Sequence, residues 1–384
     1  MRGHFKKRGA SWYFWVELEP GPDGKRRQKS RGGFKTRKEA ERAFAELRDE
    51  IRRGSYVEPS KLTLNRFLEE EWLPAIRASV RPSTLRFYAQ NVASYIKPTI
   101  GRTLLPNLTA AKLNAFYADL LANGRTGGRG REGGGLSPKT VRHVHTLLHK
   151  ALNDAVRWGH LGRNPASLAE APRPRTPDMH VWTAVQLRTF LHEVERERLY
   201  AAWLLLITTG MRRGEVLGLA WENVDLRVGR LSVVHSLTVV DYHRVEMLEP
   251  KTAKGRRSVA LDPATIDALR AHRKQQLEER VLAGPTWQDN GLVFTRANGA
   301  AIHPEYVSRR FTQLSRRAGL PRIRLHDLRH SYATAALATG ISAKVVSERL
   351  GHSSVSITLD IYSHVLPSID EKAANTVASF ILGT

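Results

Sequence analysis

Hydrophobic positions along the chain follow two periods. The run Ser11-Trp12-Tyr13-Phe14-Trp15-Val16-Glu17-Leu18 has strand length and is rich in aromatics. Gly21-Pro22-Asp23-Gly24 marks a turn, and a second, basic strand follows from Lys25 to about Ser30, with Gly32-Gly33 as a break and Phe34 beyond. Thr36-Arg37-Lys38-Glu39 has the form of a capping box, and Ala40, Ala43, Phe44 and Leu47 then recur at helical spacing. From 61 to 165 only the helical period is present. Leu64, Phe67, Leu68, Trp72 and Leu73 mark one helix, stopped near Pro74. Pro82-Ser83 opens a second, with Leu85, Tyr88, Val92 and Tyr95 or Ile96 inward and Pro98 at its end. Thr109 caps a third, carrying Leu113, Phe116, Leu120 and Leu121. Ser137-Pro138 opens a fourth, with Val141, Val144, Leu148, Leu152, Ala155 and Val156 on one stripe and Gly159 closing it. Stripes of this kind predict a packed core. The glycine-dense stretch from Gly124 to Gly135, with Arg125, Arg129 and Arg131, predicts a mobile loop.

Pro165, Pro172, Pro174 and Pro177 then thin out the periodicity, and Asn164 to Asp178 is the predicted linker. Beyond it the chain is predicted to be mainly helical with a small antiparallel sheet. Thr183-Ala184-Val185-Gln186 is a capping box, and Leu199 to Thr208 is a buried helix. Leu231, Val233, His235 and Leu237 alternate as one strand. A second strand ends near Glu249, with Arg257 to Leu261 as its hairpin partner. Asp327 to Ala338 is a helix ending at Gly340, and Ser342 caps another that ends at Gly351. Ser368-Ile369-Asp370-Glu371 caps a terminal helix with Ala374, Val377, Phe380 and Ile381 on one stripe, able to pack on its own domain or on a neighbouring subunit. The predicted fold is multidomain α+β. A small β-plus-helix module (1–58) precedes a helical bundle (61–165), a linker (166–179) and a mainly α domain with a small antiparallel sheet (180–384).

Length agrees with this division, since 384 residues are too many for one core. Charge narrows the function. The 61 Lys+Arg against 37 Asp+Glu give a formal net charge of +24, which predicts attraction to polyanions. Residues 1–58 alone hold 16 Lys/Arg and 9 Asp/Glu. Cysteine is absent, which excludes a disulfide framework, a thiolate zinc site and a cysteine nucleophile. The basic start has no apolar signal core behind it, and the longest apolar run, Tyr200 to Ile207, is too short for a bilayer. A cytoplasmic protein with no membrane partner is expected.

The candidate chemistry lies in four texts: Thr209-Gly210-Met211-Arg212-Arg213-Gly214-Glu215, Leu325-His326-Asp327-Leu328-Arg329-His330, Leu350-Gly351-His352 and Asp360-Ile361-Tyr362. Attack on a phosphodiester meets negative charge and develops more of it, so an enzyme compensates with cationic donors. Arg212 and Arg329 are the candidate clamps, because a guanidinium stays charged and presents a planar fork to two oxygens. His326 and Arg329 stand at i and i+3 and can share a helix face, with His330 read as pointing elsewhere. His352, after the helix-ending Gly351, can be presented into a cleft. Tyr362 is the candidate nucleophile. Its phenol, with a reference pKa of ~10, needs nearby cations and a proton acceptor, either His326 or a backbone group. Glu215 is read as a buttress for the clamp arginine. Each residue alone fits a blander role: a surface ion pair, a helix-face pair or a half-buried aromatic.

In order and spacing these residues resemble the tyrosine recombinase (phage integrase) family, closely in the C-terminal half and in outline before it. The resemblance makes residues 1–58 an arm-type DNA-binding domain and 61–165 a core-binding domain. It adds Lys251, in Glu249-Pro250-Lys251-Thr252, as the acid for the leaving 5′ oxygen, with Lys254 as its rival. Arg212, Lys251, His326, Arg329, His352 and Tyr362 then fill all six family positions. The implied reaction is site-specific DNA recombination, the integration or excision of a mobile element or phage genome. It runs through a 3′-phosphotyrosyl intermediate and implies no metal or other cofactor. The implied partners are double-stranded DNA, a homotetramer on two duplexes, and a DNA-bending or excision accessory protein. Two other functions fit parts of the pattern: DNA relaxation of the type IB topoisomerase kind, and a non-catalytic DNA-binding regulator.

Overall fold

The computed structural model describes residues 3–18, 27–52, 60–124, 134–174, 180–239, 244–249, 255–362 and 377–383; for residues 18, 27, 50 and 360–362 it describes the backbone alone. The contact pattern divides the chain between Thr176 and Pro177. The fold is mainly helical with small antiparallel sheets, as the sequence predicts.

In the first unit, β1 (Gly3–Arg8), β2 (Ser11–Leu18) and β3 (Arg27–Phe34) form an antiparallel sheet in the order β1-β2-β3, backed by α1 (Arg37–Arg52). The pattern predicts neither β1 nor the full reach of β3. β1 is basic and mostly exposed, so it carries little alternation. β3 runs through the glycine pair because a bulge opposite Trp12 and Tyr13 absorbs the irregularity. Phe14, Val16, Ala40 and Leu47 form this module's own small core. The Thr36 capping box is present, with Glu39 N–H donating to Thr36 Oγ1 at 3.2 Å and Glu39 Oε2 accepting from Thr36 N–H at 3.4 Å.

The helical segment holds α2 (residues 64–76), α3 (82–99), α4 (Ala110–Asn123) and α5 (Pro138–Arg157). Thr109 and Ser137 cap α4 and α5 through their side-chain oxygens. One boundary and the internal geometry differ from expectation. α2 continues past Pro74, and both α2 and α3 contain a π segment, Phe67–Trp72 and Val92–Ile96. A π segment adds a residue per turn, so Pro74 falls in the first turn of the renewed α-helix, where its missing N–H costs little. The core comprises Phe67, Leu68, Trp72, Phe116, Val144, Leu147, Leu148 and Leu152 among others.

In the second unit, α6 (Ala184–Glu193), α7 (Tyr200–Thr209) and α10 (Pro304–Arg317) pack Trp182, Phe190, Trp203 and Phe311 into one aromatic cluster. α7 is buried on nearly all sides. The same unit holds the short α8 (Arg213–Leu217), the long α9 (Pro263–Ala283), α11 (Asp327–Ala338), α12 (Ala343–Leu350) and α13 (Val355–Tyr362). The strands β4 (Val224–Asp225), β5 (Arg230–Val233), β6 (Ser236–Val239), β7 (Val245–Leu248) and β8 (Arg257–Ala260) correct two expectations. The alternating run from Leu231 to Leu237 is two strands, β5 and β6, in different sheets. The segment before Glu249 does not pair with Arg257–Leu261: β7 pairs with β6, and β8 pairs with β5. Alternation identifies strands but does not choose partners. The backbone from β7 to β8 therefore links two sheets rather than closing a hairpin. The Ser368 capping text, Lys251, Lys254, the turn at 21–24 and most of the glycine-rich loop lie outside the described residues.

Candidate active site

The site is built where three helix ends meet. α7 ends in Gly210, whose φ of 65° is left-handed and favours glycine. A Cβ there would lie 2.6 Å from both Leu350 Cδ2 and Tyr332 Cδ1, so the close approach also requires glycine. α12 ends in Gly351, with φ of 68°; His352 N–H then donates to Ser347 O at 3.0 Å, the turn that presents the histidine.

Arg329, on α11, is 3% exposed and joins these ends. It donates from Nη1 to Gly210 O at 2.9 Å and from Nη2 to Leu350 O at 2.7 Å. A cation at helix C-termini is favoured by their exposed carbonyl dipoles. Arg212 stands just before α8, with its side chain 41% exposed. It donates from Nη1 to Glu215 Oε1 at 2.7 Å and, at the limit of bonding, from Nη2 to Gly351 O at 3.5 Å. Glu215 Oε2 also accepts the Arg212 backbone N–H at 2.9 Å, fixing both ends of that residue.

Glu215 has a further partner that local sequence does not single out. Arg257, on β8, donates to Glu215 Oε2 from Nη2 at 2.8 Å and to Oε1 from Nη1 at 3.3 Å. Burial alone would push the Glu215 carboxyl up, but the hydrogen bond and charge of Arg257, with Arg212 added, more than reverse this and hold it below the usual carboxylate range. The alternation of β8 turns Val259 inward and puts Arg257 on the same face, but only the pairing of β8 with β5 brings that face to Glu215.

His326 begins α11 and lines a cleft of about 1020 Å³ together with Arg212, Arg213, His180, Ser308, Arg322 and Arg324. Its pKa is pushed down to about 4, first by lost hydration of the ring and then by His330, Arg329 and Arg212. His330 is not turned away as expected. The two rings meet edge to face with centroids 5.3 Å apart, because residues four apart on a helix share a face. His352 is 9% exposed, and its Nδ1 lies 2.8 Å from Thr358 Oγ1. Its pKa is also about 4, through burial first and then the charges of Arg329, Arg212, His330 and Arg257. Both rings are therefore neutral at pH 7. If Nδ1 of His352 accepts the Thr358 hydroxyl, the ring proton sits on Nε2, the form that can donate to an oxyanion. Thr358 belongs to α13, the helix that ends at Tyr362. The structure thus gathers Arg212, Glu215, His326, Arg329 and His352. It carries the Tyr362 backbone on a helix tied to one of them, while Lys251 lies outside the described residues.

The description of the phage integrase family matches residues 181–368, and that of an arm DNA-binding domain matches residues 4–51. A tyrosine recombinase XerC-like protein of Caldanaerobacter subterraneus subsp. tengcongensis is 30% identical, covering 97% of each chain. The chain belongs to the phage integrase family of tyrosine recombinases. It is a site-specific DNA recombinase, an enzyme. An integrase of Saccharopolyspora erythraea is 25% identical over 82% of this recombinase and 83% of its own length. Two solved structures share the fold. The Tn1549 transposon integrase, in complex with transposon right end DNA, has a TM-score of 0.65 at 19% identity, covering 82% of this recombinase and 100% of that chain. The lambda integrase tetramer bound to a Holliday junction has a TM-score of 0.54 at 18% identity, covering 91% and 95%. Among the described residues of this recombinase, no helix is long and apolar enough to cross a membrane.

Proposed function

We propose that this recombinase breaks a DNA strand by attack of the Tyr362 oxygen on a scissile phosphate. The attack forms a 3′-phosphotyrosyl ester and releases a 5′ hydroxyl; the corresponding 5′ hydroxyl of a partner duplex later attacks the ester, restoring a phosphodiester and freeing Tyr362. Bond energy is kept in the ester, so no nucleotide cofactor or metal enters. Arg212 and Arg329 hold the phosphate and its developing charge. His352 donates to a phosphate oxygen, and His326, neutral and beside both arginines, donates or accepts a proton. Lys251 protonates the leaving oxygen, and Glu215 keeps Arg212 in place.

The observation that carries this assignment is the meeting of the Gly210, Leu350 and Gly351 carbonyls on Arg329 and Arg212, because it gathers sequence-distant cations at one point. The enzyme works on double-stranded DNA in the cytoplasm, as a homotetramer spanning two duplexes, with a DNA-bending or excision protein choosing direction. Residues 1–58 bind arm sites, 61–165 grip the core site, and 166–179 link that segment to 180–384, which does the chemistry. The exposed apolar side chains of Val377, Phe380 and Ile381 suit a subunit contact.

A nicked suicide duplex bearing the element's own junction tests the reaction. Wild type should trap a covalent complex and Tyr362→Phe should trap none, while a Tyr362→Phe variant that still traps DNA overturns the assignment. Robust relaxation of a plasmid lacking any recombination site would favour the topoisomerase alternative.

A further inference from the structure

Three segments of the site are tied together by one side chain that the reaction scheme does not use. The Arg257 side chain is 7% exposed. Besides its fork on Glu215, it donates from Nε to Arg349 O at 2.6 Å and from Nη1 to Gly255 O at 3.2 Å. Arg349 answers by donating from Nη2 to Ala260 O at 2.8 Å, so β8 and the end of α12 clasp each other from both sides. Glu215 sets Arg212, Arg349 lies three residues before His352, and Gly255 belongs to the backbone leading from Lys251 into β8.

We propose that Arg257 is a positioning residue for strand cleavage: it fixes the clamp Arg212, through Glu215, and the His352 turn, through the Arg349 carbonyl, relative to each other and to Gly255 at the entry to β8. This rests on the assignment of Arg212 and His352 above. Arg257 touches no substrate in this scheme. Its contribution is geometric, and misplacement by about 1 Å can cost a reaction on the order of 10²-fold. Lysine cannot replace it, because one ammonium cannot reach the carboxylate and the Arg349 carbonyl with a planar fork.

The test uses the full chain and the same nicked duplex, with single-turnover cleavage, DNA affinity and thermal unfolding measured on each variant. Arg257→Met leaves Glu215 facing only Arg212, so it should melt earlier and cleave on the order of 10²-fold more slowly. Arg257→Lys should retain affinity within about twofold, since phosphate contacts carry binding, and recover only part of the rate. Assayed well below its own melting point, where it is fully folded, Arg257→Met should still cleave slowly. A merely structural role predicts the opposite, wild-type cleavage once the variant is folded. Wild-type cleavage by folded Arg257→Met, or an Arg257→Lys protein of unaltered rate, overturns the proposal. Failure of the underlying assignment would read out separately, as trapping by Tyr362→Phe or wild-type cleavage by Arg212→Lys.

Discussion

The helical segment of residues 64–174 and the neighbourhood of Arg329 are both well buried, by different chemistry. The helical segment excludes water with aliphatic and aromatic stripes. Its main buried charge is Asp154, which accepts from Trp72 Nε1 at 2.8 Å and is neutralised at the rim by Arg157 and Lys150. The Arg329 region buries two arginines and a glutamate among helix-end carbonyls. Burying ions costs more than burying leucines, and well-packed apolar groups of similar volume are often as stable or better. An arrangement that holds cations rigid at one point fits a surface selected to receive phosphate rather than to fold most stably.

Substitutions that separate chemistry from stability sharpen this contrast. The largest effect is expected from Arg212→Lys. It keeps the charge and loses the fork, so single-turnover cleavage should fall on the order of 10²–10³-fold with little change in melting. Glu215→Gln should cost about 3–5 kcal/mol in denaturant unfolding, because it strands the buried Arg257. In the helical segment, Leu148→Ala should cost a similar ~2–5 kcal/mol through a cavity. At saturating DNA and below its melting point, it should leave the cleavage rate within a few-fold of wild type. Asp154→Asn is the small counterpart at about 1 kcal/mol, since the amide oxygen still accepts from Trp72. If Asp154→Asn proved as damaging as Glu215→Gln, the contrast between the regions would fail.

The smallest effect is in pH. His326 and His352 have folded values of about 4 against an ordinary 6.5. Between those values the unfolded chain binds more protons than the folded one, so stability falls as pH drops from about 6.5 toward 4. The DNA-free enzyme should therefore melt earlier at pH 5 than at pH 7, and His352→Gln should flatten that slope. Bound phosphate brings negative charge to both rings and should raise their values, so binding near pH 5.5 should take up protons, measurable as a buffer-dependent binding heat.

What the sequence makes legible follows the same division. In the helical segment, local rules reach most of the structure: Thr109 and Ser137 cap as their hydroxyls predict, and period and burial agree along α5. They do not reach the π segment that carries α2 beyond Pro74, which has no distinct residue code. In the second unit, the spacing of Arg212, His326, Arg329 and His352 singled out residues that the fold then gathers. Their partners were not legible. Carbonyls at Gly210 and Leu350 have no side-chain signature, and strand pairing that moves β8 beside β5 is a long-range choice. Arg257 was missed because its role depends on that choice: only beside β5 does its inward face meet Glu215.

The central claim is a covalent bond between the Tyr362 oxygen and a DNA phosphate. Trapping the wild-type enzyme on a nicked duplex, digesting both partners and sequencing the peptide–nucleotide adduct by mass spectrometry tests it directly. The account predicts a single adduct on the peptide containing Tyr362, joined to a 3′ phosphate. An adduct on another residue, a 5′ linkage, or cleaved DNA with no adduct would contradict it.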